Sequence, residues 1–459
     1  MVSIEATHVA EHTATSNPTT FALYRAVWRW HFYAGLIVLP FMILIAVTGG
    51  IYLFKDEINN TLYSDLRIVE PISSRQLAPS VLTSNALASY PGTLRAYLSS
   101  EAPNRAVEVS IAGQDGIKNT VYVNPYDGTV LGTAWDAASS GTSLMYVVRK
   151  LHSLEYVGWW GNRIIEAAAG WMVLLVGTGI YLWWPRSRNV GVYLPRKTKG
   201  RPLWRDIHAV TGIYAAIFIV FLAMTGLPWS GVWGDKFYEL SYAADLGMPD
   251  GYWSKYPTST VPVGEALDRS PWAIEKQPMP LSQASESVPV AIDKVIANVE
   301  NLGIHAGYKL NIPSTPDGVF TASVYPNDIS QERIIHLDQY TGEVLVDMGL
   351  SDLGALGWAA EWGIGIHMGQ AFGLANQIVL LLACIAMVLL AVSAAIIWWK
   401  RRPKGALGAP KVPADWRIPR GVFVIAIIAG IFFPLVGLSL LVIAALEVSI
   451  YTLKKIQPA

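Results

Sequence analysis

Four apolar stretches of about 20 residues, near 33–54, 164–184, 209–230 and 376–399, constrain this chain more than anything else in it. A helix rises about 1.5 Å per residue, so each is long enough to cross a hydrocarbon core of about 30 Å. A fifth apolar run, 421–453, exceeds one crossing and is interrupted by Pro434 and Gly437. It is either one long kinked helix or a hairpin, and Lys454 and Lys455 favour the hairpin. With 52% hydrophobic and 15% charged residues, the composition is that of an integral membrane protein, and 18 Trp suit anchoring at two interfaces. The formal net charge of zero argues for no nucleic acid and no acidic partner. The lone Cys384 lies inside an apolar stretch, so neither a disulfide framework nor a thiolate metal cage is expected.

The loops between the stretches set the expected orientation. Residues 186–205 hold seven cations and no acid, and residues 400–420 hold seven cations against Asp415 alone. Short basic loops face the cytoplasm, which puts the N-terminus inside and both long polar segments outside. The expected organisation is a disordered cytoplasmic N-terminus (1–24, where His8 and His12 receive no role), then a first span, 25–54, acting as a signal anchor. An exterior insert (55–151), a second span (152–185) and a basic loop (186–205) follow. The pattern repeats as a third span (206–230), a second insert (231–362), a fourth span (363–400) and a basic loop (401–420), before the C-terminal hydrophobic segment 421–453.

Both inserts read as α+β. The first shows alternating strands at 107–111 and 121–123, then Tyr126-Asp127-Gly128-Thr129-Val130-Leu131. The second shows an amphipathic helix at Val288–Leu302, with Ser287 as N-cap, Pro289 in the first turn and Gly303 as its stop. Strands at 319–325 and 333–337 follow, and then Tyr340-Thr341-Gly342-Glu343-Val344-Leu345. The shared Tyr-x-Gly-x-Val-Leu close makes the inserts repeats of one another. The expected fold class is therefore a mainly α-helical membrane protein, its four-helix core arising by tandem duplication, with C-terminal hydrophobic helices and two exterior α+β inserts. Parallel repeats of this kind place binding sites at their interface.

The histidines repeat with the halves. His31 is followed by Gly35 and by Thr48-Gly49 at 17 and 18 residues; His208 is followed by Gly212 and by Thr225-Gly226 at the same intervals. At 100° per residue, a residue at +18 returns to the histidine's own face and one at +4 lies about 40° away. His152 precedes Thr178-Gly179 by 26 and 27 residues and Trp183-Trp184 by 31 and 32, and His367 precedes Ser393-Ala394 and Trp398-Trp399 by those intervals. Gly170, at +18 from His152, falls on that histidine's face if one helix joins them. Imidazole ligates haem iron well, and a haem between helices needs opposed histidines with small residues nearby. The spacing suggests two bis-His levels, His31/His208 at the cytoplasmic end and His152/His367 at the outer end, and leaves cross-pairing within a half open. Against this stands the ordinary reading, in which such histidines are interfacial and the glycines serve helix packing.

Other polar groups carry two readings. Arg163 and Glu166, three apart, form a local ion pair, or Arg163 holds a haem propionate. Arg29 and Arg205 read the same way for the inner level, with positive-inside anchoring as the alternative. His305 and His336 read as surface residues, and Tyr156, Trp159, Trp160, Trp358 and Trp362 as interface anchors or a docking surface for a bulky chelate.

The Leu-His at 151–152, Gly-Asn-Arg at 161–163, Trp-Trp-Pro-Arg at 183–186 and Trp-Trp-Lys-Arg-Arg-Pro at 398–403 resemble the PepSY-associated transmembrane family. The Arg-Asp-Ile-His start and Thr-Gly exit of 205–226 and the insert endings fit as well. The resemblance covers roughly 20–455, with two departures: Gln377 stands where the first half has Arg163, and Ile385 where it has Gly170. It implies a bacterial inner-membrane protein with periplasmic PepSY-like inserts, similar to haem-containing ferrisiderophore reductases. On that reading two bis-His haem b groups carry electrons across the bilayer to a periplasmic ferric chelate. No Walker, Rossmann or nucleophile-elbow motif occurs, so no flavin or nicotinamide site is expected here. The electrons then come from a separate cytoplasmic reductase or a quinol. The alternative is a haem-free PepSY protein that binds or restrains a periplasmic protein such as a protease. A transporter is disfavoured because the four core spans lack acidic relays at the midplane.

Overall fold

The computed structural model describes residues 18–456 apart from 73–74, 185–192, 195–197, 249–255, 284–287 and 403–419. The N-terminal 1–17, Ser287 and most of both basic loops lie outside the described residues. Among the described residues four helices are long and apolar enough to cross a membrane: Leu23–Tyr52 (within α1, Pro18–Tyr52), Trp159–Trp183, Gly200–Trp229 and Gly373–Arg401. This is a mainly helical, multi-pass membrane protein. Two compact units divide it, residues 1–39, 170–214 and 390–459 in the first and 40–169 and 215–389 in the second.

The second unit carries the sheet. In chain order it holds helix α2 (Pro79–Ser89), strands β1 (Gly92–Leu98), β2 (Val107–Gly113), β3 (Lys118–Val123) and β4 (Val130–Trp135), and helix α3 (Ser143–His152). The chain then runs through the spanning helices α4 (Trp159–Trp183) and α5 (Gly200–Gly226), each divided between the units, to α6 (Trp233–Ala243) and α7 (Ile292–Asn301). Strands β5 (Lys309–Asn311), β6 (Val319–Val324), β7 (Arg333–Asp338) and β8 (Val344–Gly349) precede α8 (Ala355–His367) and the last span, α9 (Gly373–Arg401). The two inserts do not form separate sheets. Their strands join in one eight-stranded antiparallel sheet, order β8-β7-β6-β5-β1-β2-β3-β4, through Ala96↔Asn311, Tyr97↔Leu310 and Leu98↔Lys309. Each four-stranded half would otherwise expose an edge of unpaired amides, and the union removes one edge from each.

Helices α2 and α7 pack together over this sheet. Leu82 and Ala86 from one and Val295, Ile296 and Val299 from the other share a core with Val109, Val121, Leu310, Ala322 and Ile335. Asp293 of α7 accepts from the Ser80 N–H at 2.8 Å and the Ser80 hydroxyl at 2.6 Å, serving as the N-terminal cap that α2 lacks in its own sequence. The repeated Tyr-x-Gly is turn chemistry. Gly128 and Gly342 sit at φ 74° and 73°, and Tyr126 and Tyr340 donate to the carbonyls of Pro103 and Pro316 at 2.8 and 2.7 Å. Helix α7 begins at Ile292, four residues later than expected: Ala291 is extended at ψ 139°, and the Val290 N–H bonds the Gln339 carbonyl at 2.8 Å.

The second and fourth spans also begin later than the expected bounds of 152 and 363, though slightly ahead of their apolar stretches. His152 and His367 close the short helices α3 and α8, and the spans start at Trp159 and Gly373. Backbone in the left-handed region breaks the helix each time, at Leu154 (φ 52°) and Gly158 (67°), and at Gly369 (74°) and Phe372 (60°). His152 and Gly170 therefore do not share a helix face.

In the first unit the C-terminal apolar run forms two helices, α10 (Arg420–Phe432) and α11 (Pro434–Ile456). They fold back on each other, since a Cβ on Gly430 would lie 2.9 Å from Gly437 Cα. Gly170 meets this hairpin, where a Cβ would lie 2.8 Å from Val436, whereas Ile385 at the related position of α9 is 54% exposed. That packing explains the departure between the halves.

Candidate functional site

In the first unit the His31 and His208 rings face each other, with centroids 6.3 Å apart and planes at 84°. Two imidazoles bound to one metal through bonds of about 2 Å hold their centroids roughly 6 Å apart. His31 Nδ1 lies 2.9 Å from Thr178 Oγ1; His208 Nδ1 lies 3.1 Å from Ser393 Oγ and 3.2 Å from the Leu390 carbonyl. Thr178 donates its hydroxyl proton to the Leu174 carbonyl at 2.8 Å, and Ser393 donates to Leu390 at 2.9 Å. With its one proton spent, each hydroxyl accepts from the imidazole. The ring proton then sits on Nδ1 and the Nε2 lone pair is left bare.

The second unit repeats the arrangement. Thr48 donates to the Leu44 carbonyl at 2.6 Å and accepts from His152 Nδ1 at 2.9 Å. Thr225 donates to the Phe221 carbonyl at 2.7 Å and accepts from His367 Nδ1 at 2.8 Å. His152 thus lies within electrostatic reach of His367, while the His31 and His208 rings face each other directly. Holding a ring by its outer nitrogen is what metal-ligating histidines require of their surroundings.

The glycines work differently from their spacing. Gly49 and Gly226 do not lie beneath the histidine of their own helix; a Cβ on them would lie 3.2 Å from His152 Cε1 and 3.5 Å from His367 Cε1. Gly179 stands 3.3 Å from His31 Cε1 in the same way, and Ala394 takes the fourth place. Thr-Gly is thus a cradle, the threonine accepting from the ring and the glycine making room for its edge. Gly35 and Gly212, one turn from His31 and His208, approach only Leu175 and Leu390, at 3.9 and 3.6 Å. The roles of Thr48, Thr178, Thr225, Ser393 and Gly179 are visible only in three dimensions, because a constant interval along the chain does not say which ring each residue meets.

Arg163 makes no ion pair with Glu166. Both Glu166 oxygens are taken, at 2.9 Å each, by the N–H groups of Val232 and Trp233. Asn162 Oδ1 accepts from the Gly231 N–H at 2.8 Å, and the Arg163 guanidinium occupies the space a Gly231 side chain would need, 2.3 Å from its Cβ. Gly-Asn-Arg-x-x-Glu is therefore a clamp on the turn 229–233. Arg163 stacks on Trp159 at 4.4 Å, and its Nε is buried without a hydrogen-bond partner. Replacing Glu166 with alanine strands two buried amides and should cost about 2–4 kcal/mol, read as a lowered midpoint of thermal denaturation in detergent. In the other half Gln377 donates to the Leu53 carbonyl at 2.8 Å and to Glu57 at 3.0 Å, holding the end of α1.

His305 is half-buried, and His336 is fully buried on β7, paired across the strands with Thr321 at 2.8 Å. Tyr156, Trp159, Trp160 and Trp358 are exposed. A polar cavity of about 480 Å³ opens in the second unit, lined among others by Lys55, Arg105, Arg269, Tyr325 and Gln370. Gln370 lies three residues beyond His367, and Lys55 seven beyond Thr48, so the cavity reaches chain segments that carry the second histidine pair.

These features define a multi-pass membrane protein that holds four imidazoles by Nδ1 and leaves their Nε2 atoms bare. The chain matches the PepSY-associated TM region family over residues 28–401 and belongs to that family. No curated protein matches it significantly.

Proposed function

We propose that the protein is a haem-containing oxidoreductase of the bacterial inner membrane that reduces periplasmic ferric chelates of the siderophore type. The observation that carries this reading is the fourfold use of one device, an imidazole whose Nδ1 is tied to a Thr or Ser hydroxyl and whose Nε2 is free. His31 and His208, whose rings stand 6.3 Å apart, would hold one haem b and His152 and His367 a second. Haem held by these residues would supply one-electron transfer. Gly35 and Gly212 leave room near the first pair, and Arg163 offers a cation to a propionate at the second. On this reading the basic loops would face the cytoplasm and the sheet the periplasm, and the two halves would have arisen by tandem duplication. The polar cavity would seat the chelate. Electrons would come from a separate cytoplasmic reductase or a quinol.

The test is the visible spectrum of the purified protein, oxidised and dithionite-reduced, with haem assayed per chain. Two low-spin b-type haems are expected, with His31→Ala or His208→Ala removing one and His152→Ala or His367→Ala the other. A colourless protein from haem-replete cells, with all four variants stable, would overturn the proposal and turn attention to a protein partner of the sheet.

A further inference from the structure

Two carboxyl groups with no role in the histidine sites lie within electrostatic reach of Arg269 and Tyr325, which line the polar cavity. Glu332 follows the turn 329–331 and is 7% exposed; Glu361 lies on α8 and is 4% exposed. Glu332 Oε1 is buried without a hydrogen-bond partner, while Glu361 Oε1 accepts from the Trp272 N–H. Arg269 is the cation nearest both. It also lines the cavity, where it stacks on Tyr325 at 4.1 Å and donates to Gln370 at 3.2 Å. The Tyr325 hydroxyl donates to the Arg269 carbonyl at 3.1 Å.

The charges do not balance if both acids are ionised. Arg269 offsets one carboxylate, and a second buried charge would stand uncompensated. Among the described residues, Arg269 is the cation that acts on the pair. Glu275 adds negative potential to Glu361, Asp352 is committed to the Gly349 N–H at 2.8 Å, and Arg333 is committed to Asp347. Burial raises both carboxyls, and the charge of Glu332 raises Glu361 further. The bare Glu332 oxygen is the acceptor a shared proton would need.

We infer that Glu332 and Glu361 hold one proton between them and deliver it, past Arg269 and Tyr325, to a basic oxygen donor of the chelate in the cavity. This rests on the reductase reading and adds the acid that reading lacks. Hard oxygen donors, such as hydroxamates, hold Fe(III) as anions. When one electron from the proposed reductase activity enters the iron, an iron–oxygen bond breaks, and the proton from the pair ends on the freed oxygen. The iron leaves as Fe(II), and the pair, one negative charge richer, is reprotonated from solvent.

The first test needs no haem. Infrared spectra of the full chain in detergent should show an un-ionised carboxyl C=O band at neutral pH. It should disappear on alkaline titration, weaken in Glu332→Gln and Glu361→Gln, and be absent from the double variant. A wild-type protein lacking the band, or a double variant retaining it, overturns the shared proton. Stability should agree: the folded protein keeps this proton above the ordinary carboxylate pKa, so stability falls as pH rises from about 5 to 8 and then levels. Glu361→Gln should flatten that slope. The second test mixes dithionite-reduced protein with a ferric trihydroxamate and follows Fe(II) release. Glu361→Gln should slow release at least about tenfold and remove its pH dependence; an unchanged rate and profile overturn the delivery step. If the wild type fails to reduce the trihydroxamate, the reductase reading falls and takes this acceptor with it, whereas a failed infrared test counts against the pair alone.

Discussion

Gly161→Ala should destabilise the protein by about 3 kcal/mol or more, among the largest costs of any single methyl in the chain. Its Cβ would lie 1.9 Å from the Leu154 carbonyl oxygen and 2.7 Å from the carbonyl carbon. Both are backbone atoms, so no rotamer change relieves the clash. Leu154 is already in the left-handed region, within the turn that joins α3, and hence His152, to the span beginning at Trp159. Moving that turn pulls on the His152–Thr48 contact. Two neighbours calibrate the effect by thermal denaturation. Gly158 has open space around its Cβ but φ 67° and ψ −147°, a conformation essentially reserved for glycine, so alanine there should cost about 1–3 kcal/mol through conformation alone. Gly177 has open space and a helical backbone, so Gly177→Ala should be neutral within about 0.5 kcal/mol. If Gly161→Ala melts with Gly158→Ala, the steric account of the Gly-Asn-Arg motif is wrong.

How much of this was legible in the chain follows from the range of the forces involved. Hydropathy is a local property, so the four spans and the break at Pro434 could be read directly. Their ends could not, because Leu154 and Phe372 adopt left-handed backbone that no propensity predicts. The Tyr-x-Gly turns were visible as glycines needing positive φ, but the pairing of β1 with β5 joins residues more than two hundred positions apart and leaves no periodic trace. Among the site residues, the intervals from His31 and His208 to Thr-Gly were plain, yet their meaning was inverted. Period 3.6 says which residues share a face; it does not say that Thr48 serves His152 while His31 is served by Thr178. Arg163 and Glu166 sat at ion-pair spacing, and it took the amides of Val232 and Trp233 to show where the carboxylate goes.

That exchange of partners gives the second large effect. Thr48→Val and Thr225→Val keep the shape of the side chain but turn a methyl toward a histidine Nδ1–H. The buried donor then lacks its acceptor, at a cost of about 1–3 kcal/mol, and the ring escapes by turning or by moving its proton to Nε2. Either escape removes the bare Nε2. On the haem reading, each change should weaken binding at the His152/His367 level about 10–100-fold, the usual loss when the group holding a ligating imidazole is removed. The His31/His208 level should keep wild-type affinity. Thr178→Val and Ser393→Ala should do the converse, with Ser393→Ala the milder, because the Leu390 carbonyl remains 3.2 Å from His208 Nδ1 as a substitute acceptor. Thr48→Ser, which retains the hydroxyl, should behave as wild type. Titrating the apoprotein with haem while following the low-spin band separates the levels. Equal affinity in all four Thr and Ser variants would mean that the hydroxyls only pack against the rings, and the tautomer argument for ligation would fail with them.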